Sequence, residues 1–260
     1  MDLQLSDKVV VVTGGANGIG AAIAREAVAE GARPVIVDRD GDAGKKIVNE
    51  VEKLGVQSLL IVTDLVEPEN CRMAVERTLQ DFARLDALVN CAGTNDGVGL
   101  EHGGPEQFLG SLKINLFHYY SMAHYALPAL KQARGSIVNI ASKTAVTGQG
   151  GTSGYVAAKG AILALTREWA AELLPYEIRV NAVVPAEVMT PMYERWLSRF
   201  PSPEEKLRSI VSKIPLGRRM TTAEEIAATV IFLISAKASH LHGQHLFVDG
   251  GYVHLDRALT

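Results

Sequence analysis

The run "YVAAK" at 155–159 sets a phenol and an ammonium four positions apart among valine and alanine. On a helix that spacing puts Tyr155 and Lys159 one turn apart on the same face. A free phenol has a pKa near ~10, too high for a base at neutral pH. A cation within about 4–6 Å favours the phenolate and lowers that value, so the pair can exchange a proton with a hydroxyl. Ser142 follows a β-branched run and can hydrogen-bond an oxygen on which charge develops. Asn115 lies within "LKINLFHYY", an apolar helical segment where its side chain competes for backbone partners. Taken singly, the tyrosine and lysine read as amphipathic surface residues and the asparagine as a satisfied core amide. Together they make a set that handles protons.

A second constellation suits a phosphate-bearing ligand. "TGGANGIG" (13–20) lies between an apolar run and a helical pattern. Gly14, Gly18 and Gly20 permit a tight turn, close approach of backbone to a pyrophosphate, and close helix–strand packing. No Gly-Lys-Ser/Thr follows, which excludes a P-loop. Asp38 ends the next β-branched run, where a carboxylate accepts hydrogen bonds from adenosine ribose hydroxyls. It would repel a 2′-phosphate, favouring NAD over NADP, whereas the adjacent Arg39 could accommodate that phosphate. Asp64, at the end of "IVTD", either meets an adenine amino group or caps the following helix. Asn90, Ala92 and Gly93 of "NCAG" suit a backbone lying against a flat ligand.

Such groups need a frame to hold them. Short β-branched runs at 8–13, 34–38, 58–64, 85–90, 135–142, 178–185 and 244–250 alternate with helical patterns. Helices are predicted at 18–32, 41–54, 67–83, 105–132, from "YVAAK" to 174, and at 222–235, with an irregular, partly helical stretch near 190–212. Strands apolar on both faces indicate a parallel sheet covered by helices on both sides. The expected fold is α/β, a single doubly wound domain over 1–260 with about seven strands. Right-handed crossovers put its binding crevice at the carboxyl ends of the strands, where strand order reverses.

Composition narrows the function. With 47% hydrophobic and 21% charged residues and a net charge of −3, the chain carries no basic footprint for nucleic acid or an anionic membrane. No apolar run nears the ~18 residues of a membrane span, and the amino terminus lacks the positive charge of a secretory signal. Cys71 and Cys91 make no disulfide framework and lack metal-ligand spacing, so no metal is expected and the compartment reads as reduced cytosol.

In order and spacing, "TGGANGIG", "NCAG", Asn115, Ser142, "YVAAK" and "NAVVPAEVMT" resemble the short-chain dehydrogenase/reductase family along essentially the whole chain. The resemblance implies a Rossmann-type nicotinamide site at Gly14, Asn17, Gly18, Ile19, Gly20, Asp38, Arg39, Asp64, Leu65, Asn90, Ala92, Gly93, Tyr155, Lys159, Pro185, Val188 and Thr190. It makes Tyr155 the general acid/base, Lys159 its activator and ribose ligand, Ser142 the substrate aligner, and Asn115 the holder of a relay water. Two positions depart from the pattern. Ala186 replaces the glycine of a Pro-Gly pair, which requires a negative φ, and Cys91 replaces a second asparagine and reads as a small buried residue.

The segments expected around Ser142 and Tyr155 are rich in hydrogen-bonding groups, among them Asn95, Lys143, Gln149 and Glu187. Many donors and acceptors suit a polyhydroxylated small molecule. "PAEVMTPMYERW" and "FVDGGYVHLDRAL" further resemble bacterial sugar dehydrogenases of the L-fucose dehydrogenase type, which implies oxidation of an aldose at C1 to its lactone. Trp196 and Tyr193, in a lid at about 187–215, could then pack on a sugar face. Two other readings stand beside this one. A 3-oxoacyl-(acyl-carrier-protein) reductase would prefer NADP and need a basic docking patch. A non-catalytic dinucleotide-binding scaffold would be expected to lack the tyrosine or lysine. The helices near 105–132 and 152–174 are apolar on two faces, which with the resemblance implies a homotetramer built through paired helices.

Overall fold

The computed structural model describes residues 2–256; the final residues of the "FVDGGYVHLDRAL" segment, 257–259, lie outside them. Seven parallel strands form one sheet: β1 (Val9–Thr13), β2 (Arg33–Asp38), β3 (Leu59–Val62), β4 (Ala87–Asn90), β5 (Ser136–Ile140), β6 (Arg179–Pro185) and β7 (His245–Val248). Their order is β3-β2-β1-β4-β5-β6-β7, so the order in which strands are added to the sheet reverses between β1 and β4. Helices α1 (Gly18–Ala29), α2 (Gly41–Glu52) and α3 (Pro68–Phe82) alternate with the first strands. They are followed by α4 (Pro105–Leu112), α5 (His118–Ala133), α6 (Ser153–Leu173), α7 (Pro191–Leu197), α8 (Pro203–Val211) and α9 (Ala223–Ile234).

The valine runs make strands because both sheet faces are covered. Val9 and Val11 point into a core shared with Tyr119, Met122, Ile162 and Trp169 of α5 and α6. Val10 and Val12 point the other way, onto Ile23 of α1 and Ile226 and Val230 of α9. All four valines are fully buried, each worth about 1.5–3 kcal/mol over an exposed side chain.

The helix predicted over 105–132 is interrupted. Residues Lys113–Phe117 form a π-helical turn between α4 and α5, centred on Asn115. The Asn115 amide donates to the carbonyl of Ser111, four residues back, at 3.1 Å. That side-chain bond competes with the regular backbone ladder and accompanies the one-residue bulge. The other predicted elements form with ends shifted by a few residues.

Candidate active site

The reversal of strand order opens a crevice where the β1 and β4 exits diverge. Thr13 Oγ1 accepts from the backbone N–H groups of Cys91 at 2.9 Å and Ala92 at 3.2 Å, tying the glycine turn to "NCAG". Gly14 has φ +66°, and a Cβ there would meet Ala92 Cα at 2.8 Å. A Cβ on Gly20 would come within 2.1 Å of the Gly14 carbonyl oxygen. Both positions exclude side chains, so bare backbone lines the floor. Asn17 stands at the N-cap of α1 but makes no side-chain capping bond, leaving first-turn N–H groups available to an anion.

Asp38 is bound into this turn. Its carboxylate accepts from the N–H of Ala16 and the N–H of Asp40, both at 3.0 Å. Asp40, which sequence reading missed, accepts from Asn17 Nδ2 at 3.2 Å and from Ala43 N–H at 3.0 Å, capping α2. Its signal was an acid directly before a helical pattern. These hydrogen bonds hold the Asp40 carboxyl below its ordinary value, so two carboxylates flank the turn. Arg39 between them is exposed. Asp64 does not cap α3, whose N-cap is Glu67; its carboxylate accepts from Val66 N–H at 3.1 Å just before buried Leu65's chain turns into the helix. Asn90 is fully buried and its side-chain nitrogen donates to Asn139 Oδ1 at 3.0 Å.

Tyr155, Lys159, Ser142 and Asn115 converge beside "NCAG". Lys159 Nζ lies 5.6 Å from the Tyr155 ring centroid. A Cβ on Gly93, at φ +149°, would fall 2.9 Å from Asn115 Oδ1 and 3.7 Å from Lys159 Nζ. Asn115 is fully buried, and its Oδ1 accepts from Thr94 N–H at 2.8 Å. Ser142 Oγ accepts from both Thr144 N–H, at 3.3 Å, and Thr144 Oγ1, at 3.0 Å. Its two acceptor positions are thereby filled and its own O–H is left to donate.

The electrostatics differ from the sequence expectation. Burial pushes the Tyr155 phenol up to about 12, although a hydrogen bond with Ser142 acts in the opposite direction. Burial also lowers Lys159 to about 8. Desolvation of the phenol decides its value, so without a further positive charge Tyr155 is a neutral acid at pH 7. Cys91 is likewise pushed up to about 12, the behaviour of an inert thiol.

Three predicted substrate residues gather on one wall. Lys143 and Glu187 form an ion pair, with side chains 9% and 14% exposed. Tyr193 donates to the other Glu187 oxygen at 2.7 Å, and Lys143 stands 4.0 Å over the Tyr252 ring. Trp196 packs edge-on to Tyr193 at 5.1 Å. Asn95 and Gln149 are exposed, and Asn95 folds back to accept from Gly97 N–H at 3.2 Å. Tyr252 was missed, since nothing in sequence ties the chain's end to Lys143.

The β6 exit closes the crevice from the other side. Buried Val188 bridges in parallel to Thr221, and Thr190 caps α7 by accepting from Tyr193 N–H at 3.3 Å. A Cβ on Gly18 would meet Thr190 Cγ2 at 3.1 Å, so Thr190 lies directly over the glycine turn. Ala186, following Pro185, is not among the residues with positive φ, and the alanine fits without strain.

This arrangement is that of a nicotinamide-dependent oxidoreductase. The family model described as enoyl-(acyl carrier protein) reductase, of the short-chain alcohol dehydrogenase type, matches residues 14–253. The chain belongs to the short-chain dehydrogenase/reductase family, whose members bind a nicotinamide cofactor. It is 36% identical to the L-fucose dehydrogenase of Bos taurus over 252 residues, 96% of this chain and 91% of that one. It is 33% identical to the 3-oxoacyl-(acyl-carrier-protein) reductase FabG of Thermotoga maritima, over 96% of this chain and all of that one. Among solved structures, Cj0485 dehydrogenase superposes with a TM-score of 0.96 at 47% identity, covering 100% and 99% of the two chains. The L-sorbose reductase of Gluconobacter frateurii, complexed with NADPH and L-sorbose, gives 0.93 at 29% identity, covering 98% and 100%.

Proposed function

We propose that this protein oxidises the anomeric hydroxyl of an aldose of the L-fucose kind to the lactone, with NAD as its cofactor. The observation that carries this reading is the buried Lys143–Glu187 pair beginning one residue after Ser142. Lys143 keeps N–H donors and Glu187 keeps lone pairs beyond those used in the pair, so the wall can satisfy several substrate hydroxyls. An acyl chain there would leave their remaining donors and lone pairs unmet. The L-fucose dehydrogenase relatives and the L-sorbose-bearing neighbour agree with a polyol.

The residues fit the cofactor. Side-chain-free backbone at Gly14, Gly18 and Gly20 and the uncapped α1 terminus would take the pyrophosphate, with Asn17 and Ile19 beside it. Asp38 would take the adenosine ribose, and Asp38 with Asp40 would oppose a 2′-phosphate. Asp64 and Leu65 would border the adenine. Asn90, Ala92 and Gly93, with Pro185, Val188 and Thr190, would border the nicotinamide half. When bound, the oxidised nicotinamide accepts the hydride released from C1.

Tyr155 takes the hydroxyl proton. The phenol stands at about 12 with Lys159 already beside it, so the positive charge of a bound nicotinamide would supply the further pull towards useful basicity. Ser142, whose O–H meets Tyr155, would donate it to the substrate oxygen and hold that oxygen near Tyr155. Asn115 fixes the loop at Thr94 and faces Lys159 beneath Gly93, a position suited to holding a relay water. Helices α7 and α8 act as a lid, tied down through Tyr193 and Glu187. Cys71 and Cys91 are free thiols, both pushed up to about 12, in keeping with a reducing cytosol.

The test is a panel of aldoses and a 3-oxoacyl thioester, each with both cofactors, followed at the NADH absorbance band. Aldose oxidation with NAD is expected. Turnover of the thioester with NADPH and none of the sugars would overturn the reading in favour of the FabG relative.

A further inference from the structure

Tyr119 is fully buried on α5, one turn past Asn115, in a core it shares with Met122, Ile162 and Trp169. A buried phenol needs a partner, and its O–H donates to the carbonyl of Ile140 at 3.0 Å. That bond alone would satisfy it. The same oxygen also accepts from Lys159 Nζ at 3.0 Å, and Lys159 Nζ donates to Ile140 O at 2.8 Å. Three atoms from three elements thus close a triangle: α5, the end of β5 two residues before Ser142, and α6. Two of the three Lys159 N–H bonds are directed into this triangle and one is left for the site.

We infer that Tyr119 is a positioning residue for the reaction, holding the Lys159 ammonium in place and in its charged form by accepting one of its protons in hydrogen bonding. The inference rests on the proposed roles of Tyr155 and Lys159. Lys159 is deeply buried, and a buried ammonium survives only where acceptors replace water. The titratable groups facing it are Tyr155 on its own helix, Tyr119 and His118 on α5, and Cys91 after β4. None is a carboxylate. Neutral acceptors therefore carry the ammonium, and Tyr119 supplies one of the two identified among the described residues.

The experiment is Tyr119→Phe, which removes only the acceptor oxygen. NADH affinity by fluorescence titration, without substrate, and kcat/KM are each followed against pH. Losing a hydrogen bond to a charged group should cut kcat/KM about tenfold or more at pH 7. The alkaline fall in NADH affinity should move about one pH unit lower. Tyr176→Phe, at an exposed position away from the site, should move neither. A purely structural tyrosine would lower the melting temperature and leave both pH profiles in place, and that result would overturn the inference. Should Tyr119→Phe fail to fold, 3-fluorotyrosine incorporated at position 119 alone keeps the shape and weakens the acceptor. It should shift the NADH profile in the same direction, and an unmoved profile there is equally fatal. Tyr155→Phe separates the two readings: retained turnover in that variant removes the proposed reaction chemistry, whatever Tyr119 does.

Discussion

The residues that bear the chemistry stand at positions where ordinary packing would choose otherwise, and this made them legible. Asn115 in an apolar helix and a lysine four positions after a tyrosine are poor choices for a core, yet both are buried. Tyr119 was not legible, because a tyrosine among apolar residues reads as packing. Lys143 and Glu187 were each legible as hydrogen-bonding groups near the substrate, but their pairing was not, because only the fold joins positions 44 apart. Two substitutions test the site at this scale. Tyr155→Phe removes the group that exchanges the proton and little else, so kcat should fall by at least about a thousandfold. NADH titration should give nearly unchanged affinity, and turnover close to wild type would remove Tyr155 from the mechanism. Asp38→Ala removes an acceptor for ribose hydroxyls and a repulsive charge. NAD affinity should drop about tenfold or more while NADP affinity drops less or rises. An unchanged ratio of the two would refute the cofactor argument, and Asp40 would then be the carboxylate to vary.

At the scale of elements, the strands were readable because valine buried on both faces admits few other conformations. The π turn was not, since the apolar pattern of 105–132 continues through it and only the Asn115 side chain disturbs the ladder. The same stretch stores a pH dependence. His118, first residue of α5, is buried with Nε2 on the Ile114 carbonyl at 3.1 Å and Nδ1 without a partner. Burial, with the Lys159 charge nearby, lowers it to about 4. A base depressed in the folded state contributes stability that is full above its unfolded value and lost as pH falls through the folded one. For His118 that window runs from 6.5 down to about 4, with a loss on the order of 3 kcal/mol. Denaturant unfolding at pH 7 and pH 4.5 should show a steeper acid loss in the wild type than in His118→Leu. Parallel losses in the two proteins would mean that the imidazole is protonated in place and costs the fold nothing.

At the scale of the molecule, the fold accounts for one covered face of α5 and α6 but not the other. Leu109 on α4, Phe117 in the π turn and Tyr120 on α5 are 55%, 45% and 57% exposed. A shallow groove between α5 and α6 is lined by Tyr120, His124, Leu127 and Trp169. The described chain exposes 12721 Å², against about 11,000 Å² expected of a monomer of this mass. That excess, with Phe117 and Tyr120 exposed beside the residue that carries the buried Asn115 amide and a groove open between α5 and α6, argues that a second copy packs there. Closed assemblies repeat such a self-complementary contact about two-fold axes, and a tetramer is the expected product. Sedimentation velocity at micromolar concentration should give a species four times the chain mass. Tyr120→Asp combined with Leu109→Asp should dissociate it, and because the same helices carry the site, turnover should fall with assembly. A wild-type monomer would refute the assembly outright, and an intact tetramer in the double variant would move the interface off these helices.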